Sequence, residues 1–381
     1  MPMDEPTGRS QGAELAGALE RLRRYVEYET PTGDAERNAA LAAELARDLT
    51  TAGAEVELLD APGVGRHLLA RVAGREPAER PLLLLGHMDT VWPVGTLASR
   101  PFAVHGDRAE GPGVYDMKAG LVVMVEAISR LRATGSAPRR PVTILVTCDE
   151  EAGSGTSRGL IEREARGAAA VLVLEPPLPD GAAKTARKGV AIYYLTTTGR
   201  PAHAGIEPER GVSAIVELAH QVLRVAVLAD PARGTTINVG VVHGGTASNV
   251  VPERAQAEID VRFSTTAELK RVDAALRALT PVLEGAAVEV TGGENRPPLE
   301  RTDAVVELYG RVRSIAAELG MELGEGSTGG GSDGCYTAAL GVPTLDGLGV
   351  RGGGAHATDE HIVVDDLPRR IDLLVRLLER L

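Results

Sequence analysis

The stretch VTILVTCDEEAGSG, Val142 to Gly155, decides how the rest of the chain is read. It starts without polar alternation, as a strand covered on both faces does, and ends in three consecutive carboxylates, Asp149, Glu150 and Glu151, before a glycine-rich turn. Like charges side by side at a buried strand end are costly unless a cation or a proton-transfer task uses them.

Similar apolar strands lie on either side. PLLLLGH (81–87) precedes the stretch and AAAVLVLE (168–175) follows it, with EVELLD and HLLARVA further upstream. Between them the spacing predicts helices over 13–28 and 35–52, one starting at Asp116 with Leu121, Val125, Ile128 and Leu131 on one face, and one after Ser157. Strands of this kind separated by helices imply an α/β domain, a mixed sheet with helices on both faces. From Gly189 the pattern changes to strand, helix, two strands, helix, strand. That is the split βαβ order of ferredoxin-like domains. After NRPPLERT the α/β pattern resumes, with helices over 304–319 and at the C-terminal end. We expect a discontinuous catalytic domain, 1–188 and 299–381, interrupted by an inserted domain, 189–298.

Composition narrows the function classes. A formal net charge of −12 argues against a nucleic-acid footprint, which needs clustered Lys and Arg, but is compatible with a bound cation. Cys148 and Cys335, the two cysteines, lack metal-type spacing, so neither a disulfide framework nor a zinc ribbon is expected. MPMDEPTGRSQGAELAGALE has no secretory pattern, and no apolar run is long enough to span a bilayer. The expectation is a cytoplasmic protein without membrane or nucleic-acid partners.

In open α/β sheets ligands bind at the carboxyl ends of the strands. Five sites there or in nearby loops carry an imidazole or a carboxylate. LLLLGHMDT presents His87 and Asp89, two residues apart on an extended chain, so that Asp89 can orient the His87 ring. EGPGVYDMKAG places Asp116 at the opening of a helix, where a simple cap is the plainer reading. TCDEEAGSG supplies Glu150 and Glu151, VLVLEPP supplies Glu175, and GGGAHATDEH supplies His356. Singly, each has a plain structural explanation, such as a hydrogen-bonded histidine or a water-facing strand terminus. Five in one sheet are harder to assign to chance. Mixed His and carboxylate donors suit divalent first-row metals, zinc foremost, with cobalt or manganese as alternatives. Two histidines with Asp116, Glu151 and Glu175 are about what two ions need if one carboxylate bridges them. The remaining carboxylate of the adjacent pair, beside a metal-activated water, suits a general base.

Jointly, GHMDTV, GPGVYDMKAG, TCDEEAGSGTSRGLI, LVLEP, GRPAHAG and GGGAHATDEHI resemble the M20 family of dinuclear zinc peptidases and deacylases, most closely its glutamate carboxypeptidase branch. The resemblance runs from about Leu22 to the C-terminus. It implies that His87, Asp116 and Glu175 hold one ion and Asp116, Glu151 and His356 the other, with Asp116 bridging. Glu150 is then the base that passes a proton from water to the leaving amine. It also implies a non-proline cis peptide at Asp116–Met117. The inserted domain resembles a lid that mediates homodimerisation and sends a histidine, here His203, to the partner's active site to stabilise the oxyanion. Read without the resemblance, His203 is a turn residue. Asn249 and Arg262 match positions that help bind substrate from the lid.

Arg296 in GENRPPLE looks like the family's carboxylate-binding arginine, a task suited to a bidentate guanidinium. STGGGSDG, with Gly330 and Gly331, precedes a helix and is read as an anion-binding turn. It lacks the GK[ST] of a phosphate loop. KTARKG (184–189) lies near where relatives set side-chain preference. The expected substrate is a small peptide or an N-acyl amino acid. The first reading is a carboxypeptidase; the second, an N-acyl-amino-acid deacylase or desuccinylase with the same chemistry; the third, a metal-binding protein without turnover, against which the intact Glu150 and Glu151 pair speaks.

Overall fold

The computed structural model describes residues 8–381, with side chains from residue 12. The opening segment, 1–7, on which part of the reading about secretory leaders rests, lies outside the described residues. The described residues divide into two compact units, one of 8–185, Arg301–Ser327 and Ser332–Leu381, the other of Ala186–Glu300 and Thr328–Gly331.

The first unit is a mixed α/β fold built on a six-stranded sheet. Its strands run in the order Glu55–Ala61, Gly65–Val72, Val142–Thr147, Leu82–His87, Ala170–Val173 and Thr344–Leu345. The first two strands pair antiparallel, and Gly65–Val72 meets Val142–Thr147 antiparallel. The remaining neighbours are parallel. Every residue of Leu82–His87 and of Val142–Thr147 is buried, as expected of strands covered on both faces.

Helix Ala119–Ala133 supplies much of that cover. Its residues from Ala119 to Val125 are all buried, together with Ala127, Ile128 and Leu131, so it is a core helix rather than an amphipathic surface one. At roughly 1.5–3 kcal/mol for each fully buried large aliphatic side chain, these residues are a main source of the unit's stability. Gly120 lets the helix start press on the sheet: a Cβ there would lie 2.1 Å from the Leu174 carbonyl oxygen. The helix begins three residues later than the sequence suggests. Asp116 has φ −112° and ψ 95°, outside the helical range, in an irregular segment Val114–Lys118. Asp116 is therefore not a helix cap.

The second unit holds a four-stranded antiparallel sheet in the order Thr236–Gly244, Arg254–Phe263, Gly189–Thr198 and Ala287–Arg296. Helices Ala214–Ala226 and Thr266–Arg277 pack on it. Their N-caps are Ser213, which accepts from the Val216 N–H, and Thr265, which accepts from the Glu268 N–H. Alternating burial along Arg254–Phe263 marks a sheet with one covered face. The second helix stops at Arg277, short of Thr280, whose helical backbone the following Pro281 disfavours.

Candidate metal centre

Strand register brings the first donors together. Parallel pairing sets His87 opposite Thr147 and Leu85 opposite Val173. His87 thus ends its strand just before the Cys148–Glu151 turn begins on one neighbour, while two further residues on the other side lead to Glu175. Glu175 lies beyond the end of its strand at Val173, not on it. His87 Nε2 is 3.4 Å from Glu175 Oε1 and 3.3 Å from Asp116 Oδ1. His356 sits in a turn at φ 60°, and its Nε2 is 3.2 Å from Glu151 Oε1 and 3.5 Å from Asp116 Oδ2. The two oxygens of Asp116 therefore face different imidazoles. Ligand-capable atoms of His87, Glu150 and Glu175 lie within 4.8 Å of one another, as do those of His87, Asp116 and Glu151.

Asp89 is buried beside this group. The His87 Nδ1 lies 3.0 Å from the Asp89 backbone oxygen and 3.5 Å from its Oδ1. The Asp89 carboxylate also accepts from the backbone N–H groups of Glu150 and Glu151, each at 3.2 Å, and from the Thr32 hydroxyl at 2.6 Å. It thus fixes the turn that carries the two glutamates as well as the His87 ring, a wider task than strand alternation suggests. Asp149 points away, closing the turn by accepting from Thr156 N–H and hydroxyl and Ser157 N–H. Sequence reasoning missed Asp333, whose carboxylate holds the hydroxyls of Thr147 and Ser154 beneath the same turn. The peptide between Asp116 and Met117 is cis.

Electrostatics bind the group into one titrating system. Burial by itself lowers the His87 pKa, but hydrogen bonds to Asp116, Asp89 and Glu175 outweigh it and hold the ring well above its ordinary value. Hydrogen bonds to Asp116 and Glu151 lift His356 to about 10. Burial pushes the Glu151 carboxyl up. Burial also opposes ionisation of Asp116, yet the bonds from His356 and His87 take it well below the carboxylate range. Five carboxyl groups, Asp89, Asp116, Glu150, Glu151 and Glu175, surround two imidazoles. Such a nitrogen and oxygen donor set in a confined space fits divalent first-row cations.

Residues 83–380 match the profile of the peptidase family M20/M25/M40. The chain belongs to this family. Carboxypeptidase G2 of Pseudomonas sp. strain RS-16 is 35% identical over 375 residues, covering 96% of this chain and 89% of its own. A succinyl-diaminopimelate desuccinylase of Methylobacterium sp. strain 4-46 is 32% identical over 378 residues, covering 92% of each. Among solved structures, the aminopeptidase PepT of Bacillus cereus superposes with a TM-score of 0.79 at 25% identity, covering 94% of this chain and 98% of that one. The M20 chain described here is accordingly a hydrolytic enzyme, a carboxypeptidase or amidohydrolase. The YXEP protein of Bacillus subtilis, a solved M20 structure, is a dinuclear metal-binding peptidase, and the ligand atoms of His87, Glu150 and Glu175 in this chain lie close enough together to hold a metal ion.

The other candidates lie in the second unit or at its edge. His203 and Asn249 are exposed, and the His203 Nδ1 accepts from the Gly205 N–H at 3.1 Å. Arg262 makes a two-armed pair with Asp260 at 2.8 and 2.9 Å. Arg296 is buried, and its Cδ would lie 2.8 Å from a Cβ on Gly331. The carbonyls of Gly330 and Gly331 accept from Arg187 Nη1. The expected anion-binding turn differs in the structure. The helix after it, Gly334–Ala339, is six residues long, and its first amides, Gly334 and Cys335, already donate to Ser332. No helix among the described residues is long and apolar enough to cross a membrane.

Proposed function

We propose that the protein hydrolyses an amide bond next to a C-terminal amino acid, with glutamate the leading candidate, using two divalent ions, zinc foremost and cobalt or manganese as alternatives. One observation carries this reading: Asp116 offers one oxygen toward His87 and the other toward His356. That is the disposition a bridging carboxylate needs. His87, Asp116 and Glu175 would hold one ion, and Asp116, Glu151 and His356 the other. Bound there, the ions would polarise the scissile carbonyl and make the attacking water acidic.

The protein's own groups do the remaining work. Glu150 accepts the proton of the attacking water and returns it to the leaving amine nitrogen, typically worth about 10²–10⁴-fold in rate. Asp89 keeps the His87 ring and the Glu150 backbone in place. Residues 189–298 act as a ferredoxin-like lid inserted between the catalytic segments 1–188 and 299–381, a reading supported by their strand-helix order and antiparallel sheet. His203 Nδ1 accepts from the Gly205 N–H, which leaves Nε2 as the ring atom that can donate to an oxyanion. We assign it, across a lid-mediated homodimer, to the partner subunit's reaction. Arg296 takes the substrate carboxylate, and Asn249, Arg262, Gly330 and Gly331 are the further substrate-binding residues.

The likeness to the desuccinylase supports a second reading, N-acyl-amino-acid deacylation. The two differ in which side of the amide carries the recognised carboxylate. The metal-analysed enzyme, assayed against dipeptides and N-acyl conjugates ending in glutamate, aspartate or neutral residues and against succinylated diamino acids, distinguishes them. Preferred release of a C-terminal glutamate supports the first reading; cleavage restricted to succinyl amides replaces it with the second. No hydrolysis of either class with two ions bound would refute both.

A further inference from the structure

Glu360 lies outside every donor group described above, four residues after His356 in the GGGAHATDEH loop. It is buried, and its carboxylate is surrounded by N–H donors. Oε2 accepts from the Gly113 amide at 2.9 Å and from the Trp92 indole at 2.6 Å. Oε1 accepts from the amides of Tyr115 and Asp116 at 3.0 and 3.1 Å. Two of these four donors, Tyr115 and Asp116, belong to the irregular segment that presents Asp116, and Gly113 directly precedes it. Asp116 and Met117 depart from helical backbone there, and the Tyr115 and Asp116 amides are met by Glu360 instead of by a helical ladder. Gly113 takes φ 73°, and a Cβ there would lie 2.5 Å from Thr90 Cγ2, so the chain reaches Glu360 in this form only with glycine at that point.

The same residue also closes the other half of the site. The Glu360 N–H donates to the Ala357 carbonyl, its own carbonyl accepts from Gly111, and His361–Val363 pairs antiparallel with Arg108–Glu110. A single side chain therefore clamps the His356 turn to the Asp116 loop. These are the two pieces that must keep a fixed separation if Asp116 is to bridge.

We propose that Glu360 is a positioning residue that sets the Asp116 and His356 geometry for the second ion, with Trp92 as its support. This rests on the metal reading given above. Charge-assisted bonds to several amides fix a backbone more firmly than neutral ones do, and partners that orient ligands typically change metal affinity about 10–100-fold when removed.

The test uses full-length protein stripped of metal by chelation and titrated with cobalt, following stoichiometry, affinity and the visible absorption of the bound ion. Glu360→Gln replaces one acceptor oxygen with an amide that opposes the loop N–H groups. It is expected to weaken one of the two ions about 10–100-fold, to alter the cobalt spectrum, and to lower kcat with little change in KM. Wild type binding two ions while Glu360→Gln matches it in affinity and spectrum overturns the inference alone. A lower melting temperature with unchanged affinity and spectrum likewise overturns it, since Glu360 would then only stabilise the fold. Wild type binding no cobalt overturns the metal reading itself, and the inference with it. Should Glu360→Gln fail to fold, Trp92→Phe removes one donor and leaves the carboxylate. It is expected to shift affinity several-fold in the same direction, and wild-type affinity and spectrum in that variant count equally against the proposal.

Discussion

Asp116 shows what single residues disclosed and what they concealed. Its place after a glycine-rich turn marked it as a candidate, and the apolar runs before His87, Glu150 and Glu175 marked the strand ends. Its backbone did not follow the pattern, because the helix starts at Ala119 and the carboxylate is held by a loop. Glu360 left no signal at all. It bonds backbone amides more than 240 residues away, and such bonds impose no periodicity on either segment. In the proposed mechanism Glu150 and Glu151 differ in their tasks although adjacent, which accounts for like charges at this strand end. Replacing Glu150 by Gln keeps the shape and removes the base. Turnover is expected to fall about 10²–10⁴-fold while metal content by atomic emission stays at the wild-type level, and activity within a few-fold of wild type would contradict the assignment.

At the scale of elements, long apolar strands and periodic helices were legible, because burial on both faces and a 3.6-residue period leave marks in composition. The short strands Ala103–His105, Arg108–Glu110, Gly352–Gly353 and His361–Val363 were not. Two or three residues carry no period, and pairing partners distant in sequence define them. Helix Thr266–Arg277 is tied to its surroundings by Glu268, which accepts from Arg271, Thr235 and Arg233. The Arg271 bond is the main cause that lowers its pKa from 4.5 to about 2. A depressed carboxylate contributes stability that is present above its unfolded value and is lost as pH falls through the folded one. Glu268→Gln should therefore melt at a lower temperature than wild type at pH 6. The gap should narrow steadily from pH 5 to pH 3, as read by circular dichroism, and a gap independent of pH would remove the ion pairs as its cause.

For the whole molecule, the change at Gly189 to the order strand, helix, two strands, helix, strand marked the second unit. Its compact core extends from Ala186 to Glu300 and also takes in Thr328–Gly331, a return no local pattern foretold. Helix Ala214–Ala226 with the Val227 that follows it, and the edge strand Thr236–Gly244, expose apolar side chains, among them Leu223 at 69%, Val227 at 79% and Val242 at 55%. Exposed apolar groups on an edge strand and its covering helix suit a self-pairing surface. On the proposed lid-mediated dimer, with His203 serving the partner's reaction, Leu223→Glu combined with Val242→Glu should shift sedimentation from dimer to monomer and reduce turnover without loss of metal. An unchanged dimer would displace the interface. The most direct test of the account is zinc titration of metal-free protein by calorimetry, comparing wild type with Asp116→Asn and Glu175→Gln. The bridging arrangement predicts two ions per chain for wild type, one tight ion for Glu175→Gln, and weakening of both sites in Asp116→Asn. Two ions bound with wild-type affinity in Asp116→Asn would contradict it.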